Sequence, residues 1–296
     1  MDDGVLILAG PTCSGKTALA LALAERYGAE IVGADSRQIY RGMPIGTAAP
    51  TPVDLARVPH HLVGFLDPQE RYSAAHFTRD ALDCIASIWA RGRRVIVTGG
   101  TGFYLRALAG DVALSPAFDE ALRDRLAREV RLHPPEVMHA WLATRAPQRA
   151  AALAPGDRYR VARALEIALS GAPGAAQAAA PTLRSRGARV LKLVLTVAPV
   201  LLEQRIAARV DAMLTAGFVE EAERIGPSAV ASDAVGYPQA LAYLAGASTR
   251  AELRELLARA TRRYAKRQAT WFRSEPDARA VAPPEVASIL RAEFGW

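Results

Sequence analysis

Apolar and polar positions follow two different periods along this chain. Positions 5–9 form a short continuous apolar run, GPTCSGKT follows it, and ALALALAERYG then carries a helical pattern. The order is strand, glycine-rich loop, helix, which makes one βα unit. Further apolar runs at 30–34, 94–98 and 189–197 read as strands, the first ending at Asp35 and the second at the turn Gly99-Gly100-Thr101-Gly102. Short apolar strands separated by helical stretches predict an α/β fold, a mostly parallel sheet with helices on both faces.

Ser73 is placed to cap a helix reaching about Trp89, with Gly92 closing it. From 115 to 187 the pattern turns wholly helical. Phe118, Ala121, Leu122, Leu126 and Val130 recur at helical spacing, Pro134-Pro135 opens a second helix around Trp141, and Asp157 can cap a third. On that third helix, burial of Val161, Leu165 and Leu169 would turn Tyr159, Arg160 and Arg163 outward. The segment ends in GAPGAAQAAAPTLRSRG, a small-residue linker expected to adopt no fixed structure. The domain reading is therefore a core of 1–114 and 188–296 interrupted by a helical insertion at 115–187. Helices are expected near 199–214, 217–225, 233–245 and 249–273, and no internal repeat is present.

Composition narrows the picture without changing it. With 51% hydrophobic and 23% charged residues, the 296-residue chain matches an ordinary globular protein. No run approaches the roughly 20 apolar residues that span a bilayer, and the acidic start leads straight into a strand, so a cytoplasmic location is expected. Cys13 and Cys84 alone make neither a disulfide framework nor a zinc site. The net charge of +7 favours polyanionic partners. Much of the excess is local, with Arg254, Arg259, Arg262, Arg263, Lys266, Arg267 and Arg273 set against Glu255 alone in 254–273. Arg259, Arg262, Arg263 and Lys266 form a helical stripe suited to a phosphate backbone.

The stretch Gly10, Pro11, Thr12, Cys13, Ser14, Gly15, Lys16, Thr17 satisfies G-x-x-x-x-G-K-[ST], with the required strand before and helix after. Such a loop turns backbone N–H groups toward an anion at the positive end of a helix. Lys16 adds a compact charge, and the Thr17 hydroxyl is placed to hold Mg²⁺. Only three lysines occur in the chain, against thirty-four arginines, and one stands at this loop position. Cys13 is read as a small space-filling side chain.

Loops of this kind usually serve nucleoside triphosphates, with a magnesium-holding acid at the end of another strand. The run at 94–98 ends without one. A carboxylate stands instead at the end of the run at 30–34, in Asp35-Ser36-Arg37-Gln38, at the sheet edge where such folds place ligands. Asp35 is a candidate base facing the loop; capping a turn or serving a magnesium-bound water are the other readings. GGTGFY at 99–104 is either part of a site or only a glycine-permitted turn. His60-His61 makes a poor metal pair, because neighbours on an extended chain point oppositely.

Taken together, these motifs resemble the tRNA dimethylallyltransferase family, also called tRNA isopentenyltransferases. The matching segments are GPTCSGKT (10–17), DSRQIYRGMPIGTAAP (35–50), PHHLVGFLDPQERYSAAHF (59–77), GGTGFYLRAL (99–108), RYRVARALEI (158–167), VDAMLTAGFVEE (210–221), AVGYPQAL (234–241) and ATRRYAKRQATWFR (260–273). They run in the family's order over nearly the whole chain. Cys13, Pro44 and Ala49 depart from the family's usual residues. The resemblance implies a P-loop NTPase-like sheet and transfer of a dimethylallyl group from dimethylallyl diphosphate to N6 of the adenosine 3′-adjacent to the anticodon, with Mg²⁺ present. Asp35 would be the base and Thr101 would hydrogen-bond close by, orienting that carboxylate or the adenine. The same resemblance puts Asp35, Ser36, Arg37, Gln38, Thr101, Arg123, Tyr159, Arg160, Val161, Ala162 and Arg163 against the tRNA anticodon stem-loop. A monomer suits so large and asymmetric a partner. Two rivals remain at this point: a P-loop phosphotransferase acting on ATP, and an RNA-binding protein whose loop only docks a phosphate.

Overall fold

In the computed structural model, which describes residues 4–114, 120–170 and 180–296, six parallel strands form one sheet. They are β1 (Gly4–Ala9), β2 (Ala29–Gly33), β3 (His60–His61), β4 (Arg94–Gly99), β5 (Arg189–Leu195) and β6 (Ala278–Val281), in the spatial order β3-β2-β4-β1-β5-β6. Successive side chains of a strand point to opposite faces, and β1 obeys this with an apolar residue on each. Val5, Ile7 and Ala9 join Phe77, Ile85 and Leu105 on one face, while Leu6 and Leu8 join Leu21, Leu23 and Leu290 on the other. A strand buried on both faces must read as a continuous apolar run. The sequence pattern missed β3 and β6, which have two and four residues, too short for any period to show.

Helices α1 (Lys16–Tyr27), α2 (Pro44–Thr47), α3 (Pro52–Arg57), α4 (Ala74–Ala90) and α5 (Gly102–Ala109) connect the first four strands or follow them. The expected cap of α4 is present, with Ser73 Oγ accepting the His76 N–H. Helices α6 (Glu120–Leu132), α7 (Pro135–Arg145), α8 (Pro147–Ala151) and α9 (Arg158–Leu169) form a separate compact unit, residues 113–180. Its small core gathers Leu126, Met138, Leu142, Val161 and Leu165. Phe118 lies outside the described residues. Leu169, expected to be buried, is 40% exposed at the last residue of α9.

The chain rejoins the larger unit at Pro181 and not at 188. Residues 181–187, read from sequence as unstructured linker, include a 3₁₀ turn at Arg184–Arg186, and Leu183 is wholly buried, its N–H donating to Leu108 O at 2.9 Å. One buried leucine between polar neighbours leaves no periodic signal. After β5 come α10 (Pro199–Thr215), α11 (Phe218–Ile225), α12 (Tyr237–Leu244), α13 (Arg250–Phe272) and, beyond β6, α14 (Val286–Phe294). No helix among the described residues is long and apolar enough to cross a membrane.

α10 to α13 build a third core with Ile39, Tyr40 and Met43. Inside it the fully buried Glu221 carboxylate accepts the N–H groups of Ile45 (2.9 Å) and Gly46 (2.7 Å) and the Tyr237 hydroxyl (2.7 Å). Burial, with Glu221 as its hydrogen-bond partner, pushes the Tyr237 phenol well above its ordinary range. Glu221→Gln turns an amide N–H₂ toward donors that need an acceptor, and is expected to destabilise the protein by about 1.5–3 kcal/mol. Chemical denaturation measures that loss.

Candidate functional site

Parallel register brings three loops to one sheet edge. Ala9 pairs with Gly99 and with Val194, and Gly33 pairs with Thr98, so the residues after β1, β2 and β4 emerge side by side. They are the phosphate loop, Asp35 and Thr101. The contact is close: a Cβ on Gly99 would lie 2.0 Å from Ala34 O, so only glycine lets β4 pass the end of β2. Glycine at 99 is thus required by the packing of β4 against the end of β2.

Asp35 sits on a sharp bend, with Oδ1 accepting the Arg37 N–H at 2.9 Å. That much agrees with a turn cap. Yet the residue also lines a cleft of about 520 Å³ together with Lys16, Thr17, Arg209 and Tyr264. Thr101 accepts the Ser36 N–H at 2.9 Å and donates to Ser36 Oγ at 3.3 Å. Thr101 thereby holds the backbone one residue beyond Asp35, close by the carboxylate.

In the phosphate loop, burial pulls the Lys16 ammonium below the ordinary lysine range, Asp35 pushes it back up, and Arg209 adds to the depression. Two arginines from α10 reach the loop. Arg205 donates to Cys13 O (3.4 Å) and Ser14 O (3.2 Å), and Arg209 donates to Thr12 Oγ1 (2.8 Å). Cys13 has a φ of 63°, a left-handed conformation fixed by the loop's curl. The Thr12 N–H is engaged within the protein. It donates to Gln268 Oε1 at 2.8 Å. Arg205, Arg209, Tyr264 and Gln268 were all missed from sequence. The spacing of Arg205 and Arg209 by one helical turn, with Met213 a further turn on, is the one signal that marks them as sharing a face.

The other expected site residues divide. Arg37 forms a two-point ion pair with Asp233, at 2.8 and 3.0 Å, and Gln38 donates to Thr47 O and Ala48 O. In the helical unit Tyr159 is 78% exposed, and the side chain of Arg160 is also exposed while bonding to Asp157. Ala162 is half-buried. Val161 is wholly buried in that unit's core, so its side chain is unavailable to an RNA. Arg163, expected on the outward face, lies largely against the buried Glu166 at 2.9 Å, with Arg123 on the other carboxylate oxygen at 3.5 Å. Arg259, Arg262, Arg263 and Lys266 are exposed along α13. His61 bonds to Glu30 and His60 to Val58 O, and among the described residues no group of three metal-ligating side chains occurs.

A parallel sheet, a phosphate loop after its first strand and a carboxylate on the neighbouring corner define a P-loop α/β protein with an acid beside its anion site. The IPP transferase family model matches residues 38–275, and this chain belongs to that family. It is 43% identical over 301 residues to a tRNA dimethylallyltransferase of Geobacter sulfurreducens, covering 98% of this chain and 97% of that one. It is 45% identical over 288 residues to a tRNA dimethylallyltransferase of Myxococcus xanthus, covering 96% and 94%. The full-length tRNA isopentenylpyrophosphate transferase of Bacillus halodurans superposes with a TM-score of 0.72 at 33% identity, over 99% of this chain and 97% of that chain. A eukaryotic dimethylallyltransferase acting on tRNA shares the fold, with a TM-score of 0.75 at 24% identity over 99% and 76%.

Proposed function

We propose that this chain transfers the dimethylallyl group of dimethylallyl diphosphate to N6 of the adenosine 3′-adjacent to the anticodon in tRNA. The observation that carries this reading is a carboxylate, Asp35, lining the same cleft as the phosphate-loop lysine, Lys16. The N6 lone pair is delocalised into the purine, so the nitrogen is a weak nucleophile. Asp35 accepts one N6 proton as the new C–N bond forms at the allylic carbon. The C–O bond to the diphosphate breaks in the same event, and the electron pair leaves with the phosphate oxygen. Lys16 and the loop's N–H groups meet the charge that develops there.

The donor set suits a metal that arrives with the diphosphate. Magnesium keeps several waters and commonly uses substrate phosphates as ligands, and Thr17 offers one hydroxyl in the cleft. Thr17 would hold the Mg²⁺, which supplies further neutralisation of the departing charge. The adenine must leave its stack to reach Asp35, which in a single-stranded loop costs only a few kcal/mol. Tyr159 and Arg160 offer the helical unit's exposed stacking and phosphate-binding groups. The protein acts as a cytoplasmic monomer in this reading.

Incubation with unmodified tRNA, Mg²⁺ and dimethylallyl diphosphate, followed by digestion and mass analysis, is expected to reveal one adenosine heavier by a C₅H₈ unit. A phosphotransferase would instead consume ATP without RNA product, and a docking protein would bind RNA and change nothing.

A further inference from the structure

Gln268 belongs to neither the phosphate loop nor the corner that carries Asp35, yet it bonds to the backbone of the phosphate loop and of the turn after β4 that packs against that corner. It lies on α13, 6% exposed, where Oε1 accepts the Thr12 N–H at 2.8 Å and Nε2 donates to Gly100 O at 2.9 Å. A primary amide is the uncharged side chain that offers one acceptor and one donor in a single plane. The two partners leave it one orientation, since an N–H must meet the oxygen and a carbonyl the nitrogen. The surroundings are shaped around it: a Cβ on Gly100 would lie 2.2 Å from Nε2.

From Gly100 the connection continues by a short path. Thr101 is the next residue, it accepts the Ser36 N–H, and Ser36 follows Asp35. We infer that Gln268 is a positioning residue that sets the distance between the leaving-group loop and the base-bearing corner. The inference rests on the reading of Asp35 and Lys16 given above. In-line displacement requires the nitrogen, the allylic carbon and the departing oxygen to align. The groups serving the two ends of that line, Asp35 and the phosphate loop, stand on different strands. Gln268 ties the phosphate loop after β1 to the turn after β4, whose Thr101 holds Ser36 beside Asp35, through a residue that itself reacts with nothing.

Gln268→Met removes both bonds with little change in volume. It is expected to lower kcat about 100-fold, the cost of roughly 1 Å of misplacement. The KM for tRNA should stay within about twofold, because no RNA contact is lost. Gln268→Glu provides the sharper readout. As a carboxylate it repels Gly100 O, whereas the protonated acid accepts from Thr12 and donates to Gly100 as the amide does. Burial raises such a carboxyl's pKa, so the ratio of variant to wild-type kcat should rise about tenfold as pH falls from about 8 to about 6. A residue with a merely structural role would not produce this pH-dependent rescue.

Wild-type kcat in Gln268→Met, a kcat loss matched by loss of folded protein in denaturation, or a flat pH ratio for Gln268→Glu would overturn the inference. Failure of the function itself is a separate result, seen when the wild-type protein makes no prenylated adenosine. In that case binding of inorganic diphosphate still decides the matter. Gln268→Met should weaken it about fivefold through the released Thr12 backbone, and unchanged affinity would overturn the inference.

Discussion

Asp35→Ala is expected to lower the single-turnover rate of prenyl transfer by about 10²- to 10⁴-fold, the usual worth of a positioned general base. The tRNA dissociation constant should stay within about twofold, since one half-buried carboxylate contributes little to an RNA-sized contact surface. Asp35→Asn separates the base from the bend. Its amide oxygen still accepts the Arg37 N–H that shapes the corner, but it cannot take a proton. Both variants should therefore lose rate alike, and the asparagine variant should keep wild-type stability. If tRNA binding fell in parallel with rate in either variant, the base assignment would have to be withdrawn in favour of an RNA-binding role.

Lys16→Met should lower kcat/KM for the diphosphate substrate by about 10²- to 10³-fold, as removal of a preorganised donor to developing charge does elsewhere. The pH profile gives a second readout. Burial dominates at Lys16 and lowers its pKa, with Asp35 opposing and Arg209 assisting. As pH rises through that lowered value the ammonium is lost, and kcat/KM for the free enzyme falls with it. Lys16→Met should lack this alkaline limb. Stability moves the other way: below the ordinary lysine range the unfolded chain holds a proton that the folded site gives up, so folding strengthens as pH rises there. Methionine removes that cost, and thermal unfolding of the unliganded variant should show no loss.

Gln268 and Lys16 are legible from sequence to different degrees, and the difference is physical. Lys16 lies in an eight-residue motif whose function is local, because curl, helix dipole and charge are all made by adjacent residues. Gln268 works across 256 positions of sequence. Nothing in AKRQATWF separates a buried amide that bridges two loops from a polar residue on a solvated helix face.

The helical segment shows the same limit. The apolar spacing correctly identified Val161 and Leu165 as core, but Arg163 appeared outward because a helical wheel cannot anticipate a buried Glu166 drawing two guanidiniums inward. Likewise nothing in GGTG announces that Ala34 O lies where a side chain on Gly99 would have to be.

What the sequence by itself determined is whatever neighbouring residues decide among themselves: four of the six strands, the caps of α4 and α9, the phosphate loop and the presence of an acid at the end of β2. Tertiary structure alone decided which loops meet. Strand register places Gly33, Ala9 and Gly99 at one edge, and α10 and α13 then carry Arg209, Tyr264 and Gln268 over it from far along the chain. Side-chain periodicity reports which face of an element is buried, but the partner on that face is chosen by packing, and the chemistry of this cleft depends on that choice.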